Sequence, residues 1–324
     1  MNCRICLGKL GKTHTARQAH RHCLRALFGT TAVNSVLTFS RADMTRDMLV
    51  KHTRRMSISG VQQKLSMHLK NGQLQLTDTG GRYILKPSPP EYPYAAENEH
   101  VSMLIGKLFG IETAQCALIQ FADGEHAYIT KRYDRGQHGE RIHQEDMAQA
   151  LGQNRDETGE YKYNASYEQV AKAIREAAGG KLPPVLDVFR RLVVRFVISD
   201  GDYHLKNISL WKPAPSGAYV GLAPNYDMIN TRLYLPQESV FALDFLADAE
   251  FTPTYEKLGY YTWRDFSELA RRIGLTPKAA GRVRDEIIRR ESQAEALIRS
   301  SSLPEKMKSD YVAGMHERVR CLHD

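Results

Sequence analysis

The sequence lacks the features of a membrane, secreted or fibrous protein. No apolar run approaches the eighteen or so residues that a membrane helix needs, and the first residues, MNCRICLGKLGK, lack the apolar core of a secretory signal. Cysteine is scarce and odd in number, at five residues, which argues against a disulfide framework. With 23 glycines and 13 prolines in 324 residues, the composition also excludes a collagen-like or disordered chain. We therefore expect a cytoplasmic, globular protein with no membrane partner, built from one large core or two lobes.

Positive charge is concentrated at the start of the chain. The net formal charge is +8, yet residues 1–70 alone hold 13 Lys and Arg against two Asp, a net charge of +11. A basic segment on a near-neutral body indicates an anionic partner, such as a nucleotide, a nucleic acid or an acidic protein. A solvated, mobile arm explains the same charge distribution, so the charge does not decide between the two interpretations.

Three of the five cysteines also lie near the start. Together with one histidine they form two pairs of the same spacing, separated by thirteen residues: Cys3, Cys6, His20 and Cys23. Two close pairs of soft ligands are typical of a tetrahedral zinc site, so we expect a structural Zn²⁺ here. His14 and His22 lie near enough in sequence to leave the choice of ligands open. The alternative is a small helical cap in which Cys23 packs beside Leu24 and Leu27.

Two kinds of periodicity divide the rest of the chain. Between residues 56 and 132, the stretches QLQLTD, RYILKP and HAYITKRYD alternate apolar and polar residues and are separated by turn formers, which predicts strands. The segment ENEHVSMLIGKLFG interrupts them with apolar residues at helical spacing. From about residue 144, helical periodicity continues through segments such as SYEQVAKAIREAA, PPVLDVFRRLVVRFVIS and WRDFSELARRIG. These patterns predict a small strand-rich lobe with one inserted helix, followed by a larger helical lobe.

Two Asx-rich segments in the second half carry the clearest chemical signal. SDGDYHLKN contains Asp202 and Asn207, and PNYDMIN contains Asp227. In phosphoryl transfer, one carboxylate orients the attacking hydroxyl while an amide oxygen and a second carboxylate hold Mg²⁺ against the phosphates. Taken alone, each segment is better explained as a turn that caps a helix.

Three features upstream favour phosphoryl transfer. Lys86 ends a predicted strand, where its ammonium group can hold phosphate oxygens as a point charge. Glu97 and Glu99 follow on the inserted helix, and either can pair with that lysine. The third feature is a short loop, MSISGVQQK, whose hydroxyl and backbone N–H groups can cover phosphates.

In this order, the segments resemble the HipA family of bacterial toxin kinases. The resemblance runs from about residue 56 to the C-terminus and rests on SISGVQQK, YILKPSP, ENEH, KRYDR, HQEDMAQALG, GDYHLKN and PNYDMINTRLY. The short chain and the two serines of the SISG loop are most similar to HipT, the compact kinase of HipB/HipS/HipT systems. The resemblance implies a bilobal, protein-kinase-like α/β (α+β) fold. We expect a basic module with Cys/His pairs at residues 1–55, a strand-rich N-lobe at 56–140 and an all-helical C-lobe at 141–324.

The resemblance also implies a role for each matching residue. Asp202 would be the catalytic base, and Lys86 would contact the ATP phosphates with Glu99 as its helix partner. Further contacts to ATP and Mg²⁺ would come from the SISG loop (Ser57, Ser59 and Gly60), from a hinge (Arg132, Tyr133 and Asp134), from His204 in the catalytic loop, and from the Mg²⁺ ligands Asn207 and Asp227. Autophosphorylation of Ser57 and Ser59 would add negative charge beside ATP and switch the enzyme off.

The implied activity is that of an ATP- and Mg²⁺-dependent serine/threonine protein kinase, the toxin of a toxin–antitoxin system. Known relatives phosphorylate aminoacyl-tRNA synthetases, so the expected substrate is such an enzyme, for example tryptophanyl- or glutamyl-tRNA synthetase. The expected partners are a HipB-like DNA-binding antitoxin and a HipS-like small protein, with DNA reached only through the antitoxin complex. Two other functions remain open: a catalytically decayed kinase that serves as a DNA-binding corepressor, and a small-molecule phosphotransferase.

Two local features need separate interpretation. Asp200 stands where the family often has Asn, and it adds a carboxylate that can raise the pKa of Asp202 or bind a second metal. Arg190 and Arg191 lie on the apolar helix before the Asp202 loop, and we expect them on its solvated or lobe-bridging face. Residues 1–55 match the family only loosely, so the resemblance gives the basic segment no function.

Overall fold

The computed structural model describes residues 1–11, 18–44, 63–136, 139–153, 158–213 and 217–324. The chain divides into two compact units, each assembled from separate stretches of sequence. Unit 1 comprises Met1–Leu104, Ala114–Arg141 and Leu297–Pro304, and unit 2 comprises Ile105–Thr113, Ile142–Ala296 and Glu305–Asp324. The loop residues predicted to cover phosphates, Ser57, Ser59 and Gly60, lie outside the described residues.

A five-stranded antiparallel sheet forms the centre of unit 1. Its strands are β1 (Leu65–Lys70), β2 (Gln73–Leu76), β3 (Tyr83–Pro87), β4 (Cys116–Gln120) and β5 (His126–Lys131). They pair in the order β2-β1-β3-β5-β4. Asn71 and Gly72 both have positive φ and form the two-residue turn between β1 and β2, as an Asn-Gly pair does in tight hairpins. The alternating stretches around QLQL, YILKP and HAYITK were correctly predicted as strands.

The N-terminal segment packs onto this sheet. Helix α1 (Arg21–Phe28) ends at Gly29, whose φ of 76° lets its N–H reach the carbonyl of Arg25 at 2.9 Å. One apolar cluster contains residues of the segment and of the strands: Cys3, Leu24, Leu27, Val33, Leu65, Leu85 and Ile129. Burial of these side chains stabilises unit 1. The described part of the basic segment is therefore built into the core of unit 1, and the interpretation as a solvated arm does not hold for it.

The inserted helix and the helices of the second half agree with the predicted periodicity. Helix α2 (Ala95–Leu108) follows β3. The helices after residue 146 are α3 (Met147–Ala150), α4 (Tyr167–Ala177), α5 (Pro183–Ile198), α6 (Pro253–Leu258), α7 (Trp263–Arg272), α8 (Pro277–Arg289), α9 (Glu291–Ser300) and α10 (Glu305–Cys321). Ser166 and Thr262 begin α4 and α7 with capping boxes, which satisfy backbone N–H groups that a helix start leaves unpaired. None of the described helices combines the length and apolarity that crossing a membrane requires.

A small sheet corrects the prediction that the second half is all-helical. Strands β6 (His143–Asp146), β7 (Ser209–Lys212) and β8 (Gly221–Leu222) pair antiparallel in the order β6-β7-β8. The strands have only two to four residues each, too few for an alternating pattern to be read from the sequence. The sheet joins the segment before α3 to the chain that follows the Asp202 loop.

One of the two paired arginines of α5 also differs from the prediction. Arg191 is 2% exposed and its guanidinium lies 2.8 Å from Asp187 one turn earlier. Arg190 lies 2.6 Å from Glu286 of α8 and donates a hydrogen bond to the Phe109 carbonyl at 2.8 Å. Arg191 is therefore buried, and its assignment to a solvated face was wrong, whereas Arg190 joins the stretch predicted as the N-lobe, through Phe109, to a helix of the second half, as a lobe-bridging residue would. An apolar helix that is buried on most sides leaves its arginines little solvent and requires acidic partners.

Candidate active site

Lys86 and Glu99 form a buried ion pair within unit 1. Lys86 lies on β3 opposite Tyr128 of β5, and Glu99 lies on α2. The Lys86 Nζ atom is 2.6 Å from Glu99 Oε1, and both side chains are 4% exposed. The ammonium group also lies 5.3 Å from the centre of the Tyr128 ring. Because an unpaired buried charge is strongly unfavourable, the glutamate offsets the cost of burying the lysine and fixes the direction of its ammonium group.

The other acidic candidate on α2 has a different partner. Glu97 Oε1 lies 2.9 Å from Nδ1 of His126 on β5. The sequence left open which glutamate pairs with Lys86, and the structure shows that it is Glu99. The next residue, His100, is fully buried, and its Nε2 atom lies 3.1 Å from the Ile5 carbonyl oxygen of the N-terminal segment.

In unit 2, Arg195 joins the two Asx-rich segments, although the sequence analysis did not single it out. Its side chain is fully buried, and its guanidinium lies 3.9 Å from the centre of the Tyr203 ring. It donates hydrogen bonds to Asp200 at 2.5 Å, to the Asp227 carbonyl at 3.0 Å, to Asn225 at 2.9 Å and to the Tyr226 carbonyl at 3.0 Å. One buried cation therefore fixes the loop after α5 against residues 224–230. A single Arg inside the apolar run LVVRFVI was the signal for it.

Asp202 lies in the loop that follows α5, and its carboxylate is 48% exposed. Its N–H group donates a hydrogen bond to Asp200 Oδ1 at 3.2 Å. Partial burial, followed by the negative charge of Asp200 and a smaller contribution from Asp227, raises the pKa of Asp202 to about 7. A carboxylate with a pKa near neutrality is suited to accept a proton from a hydroxyl group.

Asp200 is the positioning residue of this loop. It is 1% exposed, and its oxygens accept hydrogen bonds from Arg195 and from the N–H groups of Asp202 and Ile229. These contacts use both carboxylate oxygens to hold the loop, which speaks against the second-metal role considered from the sequence. The other expectation, that Asp200 raises the pKa of its neighbour, agrees with the charges around Asp202.

Asn207 and Asp227 offer oxygen atoms on the two joined segments. The Asn207 amide nitrogen donates to the Asp202 carbonyl at 2.8 Å, which directs the amide oxygen away from the loop backbone. Asp227 has a φ of 48°, uncommon for a residue other than glycine, and Arg195 holds this conformation through the Asp227 carbonyl. The hydroxyl of Tyr226 contacts Ser209 Oγ at 2.6 Å and so anchors the same segment. An amide and a carboxylate oxygen are donors that Mg²⁺ prefers, so these residues fit the predicted cation.

His204 lies beside Asp202 but is itself buried. Its Nε2 atom is 3.6 Å from Asp202 Oδ1, and its ring meets the Tyr163 ring edge-on at 5.6 Å. Burial, together with the positive charge of Lys162, lowers the pKa of His204 to about 3. The imidazole is therefore neutral at pH 7, so it shapes the loop without neutralising the Asp202 carboxylate.

The predicted hinge follows β5 in unit 1. Asp134 accepts two hydrogen bonds from Arg132, at 2.9 and 2.6 Å, and one from Arg135 at 2.6 Å. Burial opposes ionisation, but the hydrogen bonds and charges of these arginines prevail and lower the pKa of Asp134. The Arg132 N–H donates to the Arg82 carbonyl at 2.8 Å, which fixes the backbone where the hinge begins. Tyr133 is half-buried.

A separate cluster in unit 1 contains the three cysteines and the histidine that the sequence predicts as zinc ligands. Their ligand atoms all lie within 4.8 Å of one another: one ring nitrogen of His20 and the thiols of Cys3, Cys6 and Cys23. His22, an alternative ligand in the sequence, is exposed and stacks on the His20 ring. His14 lies outside the described residues. The group can hold a metal ion.

His100 is expected to make the stability of unit 1 depend on pH. Burial lowers the pKa of His100 to about 4, whereas an unfolded chain has the ordinary value near 6.5. Its contribution is therefore complete above pH 6.5 and is lost as the pH falls towards 4, by roughly 1.4 kcal/mol per pH unit. His100→Gln keeps an N–H donor for Ile5 but does not ionise, so its urea midpoint should fall less over that interval. His323→Gln, at an exposed site, should keep the wild-type profile, and identical profiles for all three proteins would contradict the assignment.

Known proteins share this sequence pattern and fold. The family described as HipA-like C-terminal domain matches residues 56–295. A Haemophilus influenzae protein named "Putative kinase" is 32% identical over 321 residues, which cover 94% of this chain and 92% of that protein.

Two solved structures agree with the mixed, kinase-like fold. One is a chain of the Shewanella oneidensis toxin–antitoxin complex of HipA, HipB and operator DNA, with a TM-score of 0.65 and 21% identity. The match covers 83% of this chain and 65% of that one, so this chain spans about two thirds of the Shewanella protein. The other is CtkA, a Helicobacter pylori proinflammatory kinase, with a TM-score of 0.53 and 16% identity over 79% of this chain and 90% of that one.

Proposed function

The chain belongs to the family with the HipA-like C-terminal domain, and from this we propose that it is an ATP- and Mg²⁺-dependent serine/threonine protein kinase, the toxin of a toxin–antitoxin system. The observation that carries the proposal lies within unit 2. There, Arg195 holds the loop of Asp202 and the segment of Asp227 in one hydrogen-bonded assembly. Such an assembly presents a carboxylate base and oxygen ligands on the same support, as phosphoryl transfer requires.

In the proposed reaction, a serine or threonine hydroxyl oxygen bonds to the γ-phosphorus of ATP while the bond from that phosphorus to ADP breaks. Asp202 accepts the hydroxyl proton, for which its pKa of about 7 suits it. Asn207 and Asp227 would hold Mg²⁺, which supplies positive charge to the phosphate oxygens when bound. Lys86, held in place by Glu99, would contact the α- and β-phosphates.

The remaining nucleotide contacts are proposed by resemblance, with the geometry above as support. The Arg132 carbonyl and the Tyr133 backbone would meet adenine. Asp134, kept ionised by its arginine partners, would accept hydrogen bonds from the ribose hydroxyls. Self-phosphorylation of Ser57 and Ser59 would add about −1.5 to −2 charges per site beside the ATP phosphates and so weaken nucleotide binding.

The proposed substrate is an aminoacyl-tRNA synthetase, such as the tryptophanyl or glutamyl enzyme. The proposed partners are a HipB-like DNA-binding antitoxin and a HipS-like small protein. The Shewanella complex, which contains HipA, HipB and operator DNA, supports the first partner. HipS is proposed because the two serines of the SISG loop, Ser57 and Ser59, are similar to those of HipT. Contact with DNA would then pass through the antitoxin.

The proposal is tested by phosphate transfer from ATP labelled in its γ-phosphate. The purified chain, Mg²⁺ and a panel of aminoacyl-tRNA synthetases are incubated together, and labelled proteins and peptides are identified by mass spectrometry. We expect label on one synthetase and on the peptide that contains Ser57 and Ser59, and no label when EDTA removes the cation. Transfer only to small molecules would favour a phosphotransferase. Salt-sensitive DNA binding without nucleotide turnover would favour a decayed kinase that acts as a corepressor.

A further inference from the structure

The Cys/His group near the N-terminus has no part in the proposed reaction, yet its geometry is that of a metal site. His20 Nδ1 lies 3.4 Å from Cys6 Sγ and 4.0 Å from Cys23 Sγ. Bonds of about 2.3 Å to sulfur and about 2.0–2.1 Å to nitrogen place the ligands of tetrahedral zinc roughly 3.5–3.8 Å apart. The two distances from His20 are therefore close to the edge length of a zinc tetrahedron, and all four ligand atoms lie within 4.8 Å of one another.

The second nitrogen of His20 is arranged as it is in metal-binding histidines. Its Nε2 atom lies 3.1 Å from the Lys9 carbonyl oxygen, which accepts a hydrogen bond when Nε2 carries the proton. That tautomer turns the lone pair of Nδ1 towards the thiols of Cys6 and Cys23. A histidine that binds a metal through one ring nitrogen usually donates the N–H of its other ring nitrogen to a carbonyl or carboxylate oxygen, as His20 does in that tautomer.

The backbone around the cysteines also supports a bound ion. The His20 N–H lies 3.4 Å from Cys3 Sγ, a contact that stabilises a thiolate. The Cys3 N–H donates to the Gly8 carbonyl at 2.8 Å, which closes the loop that carries Cys6. A Cβ atom at Gly8 would lie 3.3 Å from His20 Cε1 and 3.4 Å from Cys6 Sγ. Glycine therefore lets the loop approach the ligands closely.

A disulfide explains the group less well than a metal. A disulfide would use two thiols, and the third thiol and the histidine nitrogen would still converge on the same point. Cys3 and Cys23 are buried, so they are also poorly placed for exchange with external thiols. Three sulfur atoms and one nitrogen in this compact set match the Cys₃His composition of structural zinc sites.

We propose that Cys3, Cys6, His20 and Cys23 bind one zinc ion, and that the ion holds the N-terminal segment against the helix that carries Glu99. Between the first two ligands, the Ile5 carbonyl lies 3.1 Å from Nε2 of His100 on α2. The neighbouring Arg4 carbonyl accepts the N–H of Leu118 on β4 at 2.9 Å. The loop closed by the metal thus contacts both a strand and the helix next to Glu99.

The metal content of the full chain tests the first part of the proposal. Protein purified without chelators should contain one zinc ion per chain, measured by inductively coupled plasma mass spectrometry. Cys3→Ser, Cys23→Ser and His20→Ala should lose the zinc, whereas the matched variants Cys321→Ser and His22→Ala should retain it. Wild-type protein without zinc, or equal zinc loss in the matched variants, would overturn the proposal.

A second readout does not depend on the folding of variants. When Co²⁺ replaces zinc in the wild-type chain, we expect the intense visible absorption of tetrahedral cobalt with thiolate charge-transfer bands. Weak octahedral absorption would contradict a Cys₃His site. Removal of zinc by a chelator should speed hydrogen exchange of the α2 amides while exchange in α5 stays unchanged. If exchange of the α2 amides did not change, the ion would not hold the N-terminal segment against α2, and that part of the proposal would be refuted. The zinc site itself is decided by the measured zinc content.

Discussion

Asp202→Asn is expected to reduce phosphate transfer by about 10²- to 10⁴-fold, the range that a lost general base commonly produces. Asparagine has nearly the same size and can keep the contacts of the loop, but it cannot take the hydroxyl proton. The Asp200 and Arg195 contacts that shape the loop involve the Asp202 backbone and its neighbours, so the melting temperature should stay near the wild-type value. The measurement is the initial rate of transfer from labelled ATP, either to a synthetase or to the chain itself.

The matched control for this experiment is Asp285→Asn. Asp285 lies on α8, its side chain is 64% exposed, and its partner is the adjacent Arg284. Asp285→Asn removes the same charge as Asp202→Asn, but Asp285 belongs to neither Asx-rich segment. We therefore expect an unchanged transfer rate. An Asp202→Asn protein that still labels its substrate at the wild-type rate would exclude Asp202 as the base.

Arg195→Met is expected to destabilise unit 2 by about 3–5 kcal/mol, because it leaves the Asp200 carboxylate buried without its cation. Both side chains are fully buried, so water cannot replace the lost hydrogen bonds. At roughly 2–4 °C per kcal/mol for a unit of this size, the melting temperature should fall by about 6–20 °C. Calorimetry of the full chain gives the shift directly.

Lys306→Met serves as the comparison for Arg195→Met. Lys306 and Asp310 form an ion pair on α10 with 85% and 51% exposed side chains, and such pairs contribute at most about 1 kcal/mol. The double variant Arg195→Met/Asp200→Asn should recover part of the lost stability, because no carboxylate then remains buried without a partner. Equal melting temperatures for Arg195→Met and Lys306→Met would show that the buried pair does not stabilise unit 2.

The strands and helices that could be predicted from the sequence are those with a long, regular spacing of apolar residues. The candidate site residues Lys86 and Asp202 were found because each lies in or directly after such an element. The strands around Lys86 and the long helices show their burial directly in the spacing of apolar residues. Arg195 was missed because its importance lies in partners such as Asn225, thirty residues away, and periodicity reports burial without identifying partners. The strands β6, β7 and β8 were missed because a two- to four-residue strand has no period to detect.

The pairing of Lys86 also shows that the sequence pattern does not identify the partner of a buried charge, even among neighbouring residues. Glu97 and Glu99 lie two residues apart on one helix, and the choice between them depends on which way α2 faces the sheet. His126 on β5 takes Glu97, which leaves Glu99 for the lysine. That choice is a property of the tertiary packing of unit 1.

The interleaved segments of the two units have a consequence for biosynthesis. Unit 1 includes Leu297–Pro304, and unit 2 continues to Asp324, so neither unit is complete until almost the whole chain has been translated. A polypeptide emerges from the ribosome N-terminus first, and domains generally fold as they become complete. Residues 297–304 lie more than 160 positions beyond β5, so their contribution to unit 1, such as the Ser300 carbonyl that accepts a hydrogen bond from Asn2 at 2.9 Å, forms only after most of unit 2 has been made.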